Sequence, residues 1–399
     1  MKGSEKFDIN AVALQKAEPK YLQQMKELWA VCFPEDGASG FVDFFFERCY
    51  DSQTAYVAVK DGKVLAMAYG PLLSYKLCGK IFQVPYIQGV ATDPLFRRQG
   101  IANALLAKML EDFHLQGIPF GILKPFSVDF YHKSGWRVFA RLAAVDIKKF
   151  LPRIRENQNM ADLKDTAVVD IDEKDYLNFL TDFAAVFSYY QENSHNSYPL
   201  RSNEDWQLLL ADHFNDGGRA AAVLTDGKML GYMLYMAEHD QIFVRETAYI
   251  NTNVRDRLWR LFAQGTDNNQ TEKQAEPKII CHLPYNQKLT ADFAEIPFAM
   301  VRIINVETLL SAFDLGLLPQ EKAYFRLHDD VIEQNNGSYQ LFSRNGISCC
   351  HRLAEADGLP KLCPEINVDL LTGLLSRCYN FNNSKNGLAG CNYFNEYFR

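Results

Sequence analysis

Apolar residues recur every three or four positions in "PKYLQQMKELWAVCF" (19–33) and "GFVDFFFERCY" (40–50), which predicts two amphipathic helices. "TAYVAVKDGKVLAMAYG" then reads as a β-hairpin turning at Asp61-Gly62. "KIFQVPYIQGVAT" (80–92) is a further strand, and "IANALLAKMLEDF" from Ile101 a helix. "IPFGILKPF" is a short buried strand, "VDFYHKSG" a short helix and "WRVFARLAAVDIKKF" another strand region. The first 150 residues thus alternate helix and strand signals, the mark of a mixed α/β fold.

The same order returns later. "RAAAVLTDGKMLGYMLY" sets Asp226-Gly227-Lys228 in the role of Asp61-Gly62-Lys63; "QIFVRETAYI" then mirrors the next strand, "NVRDRLWRLFAQ" the helix and "PKIICHLPY" the following strand. A lone DG hairpin is common, but four elements in one order argue for a duplicated fold. "AQGTDNNQTEKQAEPK" (263–278) is polar and turn-rich and reads as an exposed loop. From "PFAMVRIINVETLL" onward, strand runs and short helices suggest a third α+β domain. The expected organisation is 1–150, 151–297 and 298–399, with the second domain a degenerate copy of the first.

Composition excludes more than it assigns. The chain has 399 residues, 48% hydrophobic, and a net charge of −7, which disfavours nucleic acid as a partner. Neither a signal peptide nor a long apolar span is apparent, so no membrane partner and a cytoplasmic location are expected. Nine cysteines occur with no CxxC spacing, and "SCCHR" lacks the paired ligands of a zinc site, so free thiols and no metal are expected.

One stretch carries chemistry. "FRRQG" (96–100) stands at the point where the helix "IANALLAKMLEDF" begins. A helix N-terminus offers unpaired N–H groups and positive potential. Gly100 and Ala102 let backbone approach a ligand closely, and Arg97 and Arg98 add charge-assisted bonds to a diphosphate. The matching junction in the second copy, "NTNVRDR", has no glycine and no RxxGxA.

"GVATDPLFRRQGIA", "FYHKSGW" and "FAMVRIINVETLL" together resemble the GCN5-related N-acetyltransferases (GNAT), and within them the enhanced intracellular survival (Eis) family. The resemblance covers the whole chain. It implies tandem GNAT domains, the second degenerate, followed by a sterol-carrier-like α+β domain. Acetyl-CoA would be bound by Val90, Ala91 and Thr92 on the strand, by Arg97, Arg98, Gln99, Gly100, Ile101, Ala102 and Asn103 at the loop, and by Phe126 and Ser127. Tyr131 would be the general acid. The chain's terminal carboxylate, on Arg399, would be the base, although "EYFR" carries Arg399 beyond the aromatic residue on which such chains usually end. The same resemblance implies acetylation of amines on cationic small molecules such as aminoglycosides, and a hexamer.

The residues suit these roles. A tyrosine with the ordinary pKa of about 10 is protonated at neutral pH and can donate a proton. A carboxylate is a weak base unless desolvated. Alone, Tyr131 reads as a core aromatic beside Phe130 and Trp136; the upstream loop turns the reading toward the general acid. Glu27, Trp29, Phe33 and Glu396 are candidates for holding a cationic acceptor, with Trp29 and Phe33 also readable as plain core. No cysteine is evident near the loop in sequence, which favours direct transfer over an acetyl-enzyme. A non-catalytic binder of acyl-CoA or an apolar ligand, and a protein-lysine acetyltransferase, are the alternatives.

Overall fold

A computed structural model describes residues 7–150, 166–194, 197–238, 241–265, 278–284, 292–313, 322–344, 347–354 and 363–373. Most of the predicted loop at 263–278, and the chain end with Glu396 and Arg399, lie outside these residues.

The chain opens with β1 (Ala13–Lys16), α1 (Leu22–Cys32), α2 (Pro34–Ser39) and α3 (Phe41–Arg48). Next come β2 (Ala55–Lys60), β3 (Lys63–Tyr69), β4 (Leu72–Leu77), β5 (Lys80–Thr92), α4 (Ile101–Leu115), β6 (Phe120–Leu123) and α5 (Val128–His132). After β7 (Arg137–Asp146) and α6 (Ile147–Phe150) lie β8 (Thr166–Ile171), α7 (Leu180–Ser194), β9 (Ser197–Pro199) and α8 (Asn203–Asn215). They are followed by β10 (Arg219–Thr225), β11 (Lys228–Glu238), β12 (Gln241–Tyr249), α9 (Thr252–Gly265), β13 (Lys278–Pro284) and β14 (Glu295–Ile303). The last elements are α10 (Val306–Ser311), β15 (Lys322–His328), β16 (Gly337–Arg344), β17 (Ile347–Arg352) and β18 (Glu365–Asn367). The fold is mixed α/β, as the alternation of signals predicts.

Two compact units emerge. Among the described residues, one comprises those within 7–75, 80–139 and 299–373, the other those within 76–79 and 140–298. In the first unit the strands run β1-β2-β3-β5-β6-β14. The β5–β6 pair is parallel, as a helical crossover requires. Helix α4 makes that crossover and buries Ile101, Leu105, Leu106, Met109, Leu110 and Phe113, a 3.6-period stripe, against the sheet. Strand β14 pairs antiparallel with β6, Met300 opposite Leu123 and Ile303 opposite Phe120. A smaller sheet, β17-β16-β15-β18, belongs to the same unit.

The second unit orders its strands β7-β13-β12-β11-β10-β8, again with one parallel pair, β12–β13, bridged by helix α9. Its hairpin copies the first in detail. Asp61 and Gly62 have φ of 50° and 77°, and Asp226 and Gly227 have 50° and 75°. Each hairpin shifts register three residues before its aspartate, at Ala58/Val59 and at Val223/Leu224. The left-handed φ at both turn positions is what makes Asp-Gly the favoured pair there.

Candidate active site

Strand β5 does not stay with its parallel neighbour. The β5–β6 register consists of Tyr86–Ile122 and Ile87–Leu123, yet β5 runs on to Thr92. The departure coincides with a bulge. Across β3, Tyr69 faces Gln88 while Met67 faces Ala91, so β5 gains one residue. Gly89 takes φ +58° in that bulge, and a Cβ there would lie 2.7 Å from the Trp29 ring. Only glycine satisfies both conditions. Residues 90–92, of which Ala91 and Thr92 still face β3, lie beyond the last pair with β6 and line a cleft.

The cleft holds about 630 Å³, and the far wall is the start of α4. Gly100 is the N-cap, with φ +82°, and no side chain caps the helix. A Cβ at Gly100 would meet nothing nearer than Ile9 at 3.6 Å, so the approach to the first-turn N–H groups is open. Arg98, at φ 62°, turns the loop sharply before the glycine. The arginines, the open N–H groups and the helix dipole make a site suited to a diphosphate.

Most of the sequence-predicted cofactor positions meet here: Val90, Ala91, Thr92, Arg97, Arg98, Gly100, Ile101, Ala102, Asn103 and Phe126 all line the cleft. Gln99 is not among the lining residues; its side-chain carbonyl is buried without a hydrogen-bond partner among the described residues. Ser127 also stands outside the lining, where its hydroxyl accepts from the Phe130 N–H and caps α5.

Tyr131 sits on α5, 3% exposed, behind the lining residues Phe126 and Phe130. Its ring meets theirs at 5.4 and 5.0 Å, edge to face, and packs on Trp136 at 6.2 Å. Burial, and then the neighbouring Tyr86 phenol, push its hydroxyl above the ordinary tyrosine range, so it is protonated at neutral pH. The core-aromatic and proton-holding readings therefore coexist in one side chain.

The acceptor candidates separate. Phe33 lines the cleft. Trp29 does not: it is 3% exposed, packs on Phe41, Phe45 and Phe46, and donates its indole N–H to Asp36 at 2.8 Å. Glu27 is exposed on α1 and accepts from the Gln23 amide.

One expectation is overturned. Cys32, at the end of α1, lines the cleft; its thiol donates to the Thr92 carbonyl at 3.4 Å and Arg97 Nη2 lies 3.6 Å from the sulfur. The linear distance of 65 residues from Arg97 hid this neighbour. Sequence reasoning also missed Phe96 and Phe130 in the lining, although both adjoin the quoted motifs. It missed Gln88 as well, whose two amide atoms are buried with no hydrogen-bond partner among the described residues. No local signal marks a glutamine inside an apolar strand as special. Among the described residues no group of three or more His, Cys, Asp or Glu is placed to share a metal ion, and no helix is long and apolar enough to cross a membrane.

Residues 13–139 match the profile of the acetyltransferase (GNAT) domain. A probable N-acyltransferase from Enterococcus faecalis is similar in structure at 16% identity, with a TM-score of 0.72 over 92% of this chain and 90% of that one. A GCN5-related N-acetyltransferase from Anabaena variabilis has 18% identity and a TM-score of 0.68 over 92% and 90%. Eis1 from Mycobacterium abscessus has 14% identity and a TM-score of 0.62 over 93% and 90%. No curated protein sequence matches the chain. At such identities the solved structures bear on the fold; the domain profile bears on the chemistry. The chain carries a GNAT acetyltransferase domain in its first region and is an acetyltransferase, using the acetyl-CoA donor that this domain implies.

Proposed function

We propose that the protein transfers acetyl from acetyl-CoA directly to primary amines of a cationic small molecule, of aminoglycoside or polyamine type. The observation that carries this reading is the cleft between the bulged end of β5 and the uncapped start of α4. Arg97, Arg98 and the N–H groups of Ile101 to Asn103 would hold the diphosphate. The cleft-lining edge of Val90 to Thr92, beyond the last pair with β6, would align the arm that carries the thioester. Once bound, acetyl-CoA supplies an activated acetyl group. Tyr131 would keep a proton at its hydroxyl for the departing sulfur, and its burial keeps that proton in place. Direct transfer fits Cys32, whose S–H is committed to the Thr92 carbonyl.

The finer Eis-like assignment is supported by the resemblance of the quoted motifs and by the similarity in fold to Eis1. It makes residues 151–297 a degenerate GNAT domain and 298–399 a sterol-carrier-like domain. It also makes the assembly a hexamer, the compartment cytoplasmic and the Arg399 carboxylate the base. A tag at the C-terminus should then abolish turnover while an N-terminal tag leaves it intact. The acceptor class is tested by incubating the protein with acetyl-CoA and a panel of amines, including spermidine, kanamycin and a lysine peptide, and following free thiol. Release with the polyamine or aminoglycoside is expected. Release with the peptide alone would replace this reading by protein-lysine acetylation.

A further inference from the structure

Helix α5 spans five residues, Val128–His132, too few to hold its own geometry in isolation. What fixes Tyr131 must therefore lie outside the helix. At its start, Ser127 supplies the cap. At its end, the Tyr131 carbonyl accepts from the N–H groups of Ser134 (3.0 Å) and Trp136 (3.3 Å). The Ser134 peptide is held in turn from a distant part of the chain. Arg302 on β14 donates Nε to the Ser134 carbonyl at 2.6 Å, Nη1 to the Ile303 carbonyl at 2.7 Å and Nη2 to Asp329 at 2.6 Å. All belong to one compact unit.

The guanidinium is fully buried, and Asp329 is 2% exposed. Asp329 is fixed by the N–H groups of Val331 and Ile332 and by the Asn335 amide. A buried ion pair of this kind adds little stability over an apolar residue of the same volume, because desolvation offsets the attraction. Its gain here is position: two hydrogen bonds, with Ser134 between them, connect the guanidinium to the Tyr131 carbonyl. A second pair, Arg137 with Asp369 at 2.6 Å, lies beside Gly135 of the same turn.

We infer that Arg302 is a positioning residue, which sets the proton-holding Tyr131 through the Ser134 peptide and so couples the segment after β13 to catalysis in the first domain. The inference rests on the general-acid reading of Tyr131. A misplacement of about 1 Å in such a group can cost on the order of 100-fold in rate.

The test is a double-mutant cycle on the full chain, with acetyl-CoA as donor and spermidine or kanamycin as acceptor. Arg302→Lys should lower kcat about 10- to 100-fold while calorimetry finds the affinity for CoA within about twofold of the parent. In a Tyr131→Phe background the same substitution should cost almost nothing further. Gly135→Ala gives a second entry: its φ is +83° and its new Cβ would lie 3.2 Å from Arg302 Nε and 3.4 Å from Asp369, so it disturbs the turn and both its ion pairs without removing charge. It should repeat the pattern. Equal losses from either change in both backgrounds would overturn the positioning role and leave the acid assignment standing. Undiminished turnover in Tyr131→Phe alone would sink the acid assignment, and this inference with it.

Discussion

The two copies of the hairpin–strand–helix–strand order differ at the strand that leads into the helix. In the first region Tyr69 faces Gln88 and Ala66 faces Thr92, so four steps on β5 answer three on β3. In the second, Leu234 faces Glu246 and Gly231 faces Tyr249, three against three. β12 has a bulge too, but on the other side of the matching position: Tyr235 faces Val244 and Leu234 faces Glu246, so the extra residue precedes Glu246, whereas in β5 it follows Gln88. Side chains differ in the same sense. Gln88 leaves its amide without a partner among the described residues. Glu246 at the matching position is tied to Arg201 by two bonds (2.7 and 3.1 Å) and to the Tyr232 hydroxyl at 2.6 Å. The helix starts differ too: Gly100 leaves α4 uncapped, whereas the Asn251 side chain accepts from the Val254 N–H at the head of α9. One framework thus leaves the helix start uncapped and Gln88 unpartnered in the first region, while the second satisfies the matching groups internally.

The sharpest way to break this contrast is at the helix starts. Gly100→Glu puts a side chain and a negative charge where a diphosphate would lie, in a backbone conformation that L residues rarely adopt. Binding of CoA should be abolished. Asn253→Glu, in the second junction, should leave it unchanged. Calorimetry reads both, and the parent should take up one CoA per chain. Two equivalent sites, or unaltered affinity after Gly100→Glu, would mean that the difference between the junctions has no functional meaning.

Next in size is Tyr131→Phe, which keeps the packing on Phe126, Phe130 and Trp136 and removes only the proton. Turnover should fall by about 10²- to 10⁴-fold with CoA affinity retained. The direction of the shift at Tyr131 adds a pH test. Its hydroxyl titrates above the ordinary tyrosine range, so the protonated form persists as pH rises. The parent should therefore lose no activity through this group below about pH 10, the usual value for tyrosine. An alkaline limb near neutrality that disappears in Tyr131→Phe would contradict this.

The internal pairing of the second region should register as stability rather than activity. Arg201→Met leaves the fully buried Glu246 without its cation, which typically costs about 3–5 kcal/mol. Urea unfolding should find that loss, with turnover per folded molecule intact. Gln88→Leu, which removes an unpartnered buried amide, should be neutral or stabilising by about 1 kcal/mol. Matching losses from the two variants would erase the distinction between an open and a closed strand.

Sequence pattern made the local elements legible wherever period and turn chemistry agreed. The two Asp-Gly hairpins, α4 and the Gly100 junction all rest on short-range rules that act within a few residues. That the residues of the 97–103 stretch would meet in one place was readable because they are continuous in the chain. Three features were not. The bulge at Gly89 depends on Trp29, sixty residues earlier, filling the space that a Cβ would need. Cys32 reaches the cleft because α1 ends beside Thr92. Arg302 meets Ser134 across 168 residues. Each is a long-range contact whose signal in one sequence is a single ordinary residue.

The smallest effect expected is at Cys32, and it decides whether the open cleft works by direct transfer. A covalent route would need the sulfur free to attack, and a serine in its place would remove nearly all turnover. The observed thiol instead donates to the Thr92 carbonyl at 3.4 Å, a bond that a serine hydroxyl can also make. Cys32→Ser should therefore change kcat/KM by no more than about threefold, the scale of one adjusted hydrogen bond. Intact-mass analysis after incubation with acetyl-CoA alone should find no acetylated protein at this position. A stoichiometric acetyl adduct on Cys32, together with collapse of turnover in the serine variant, would make this cysteine the nucleophile. It would leave the contrast between the uncapped helix start of the first region and the capped one of the second as it stands.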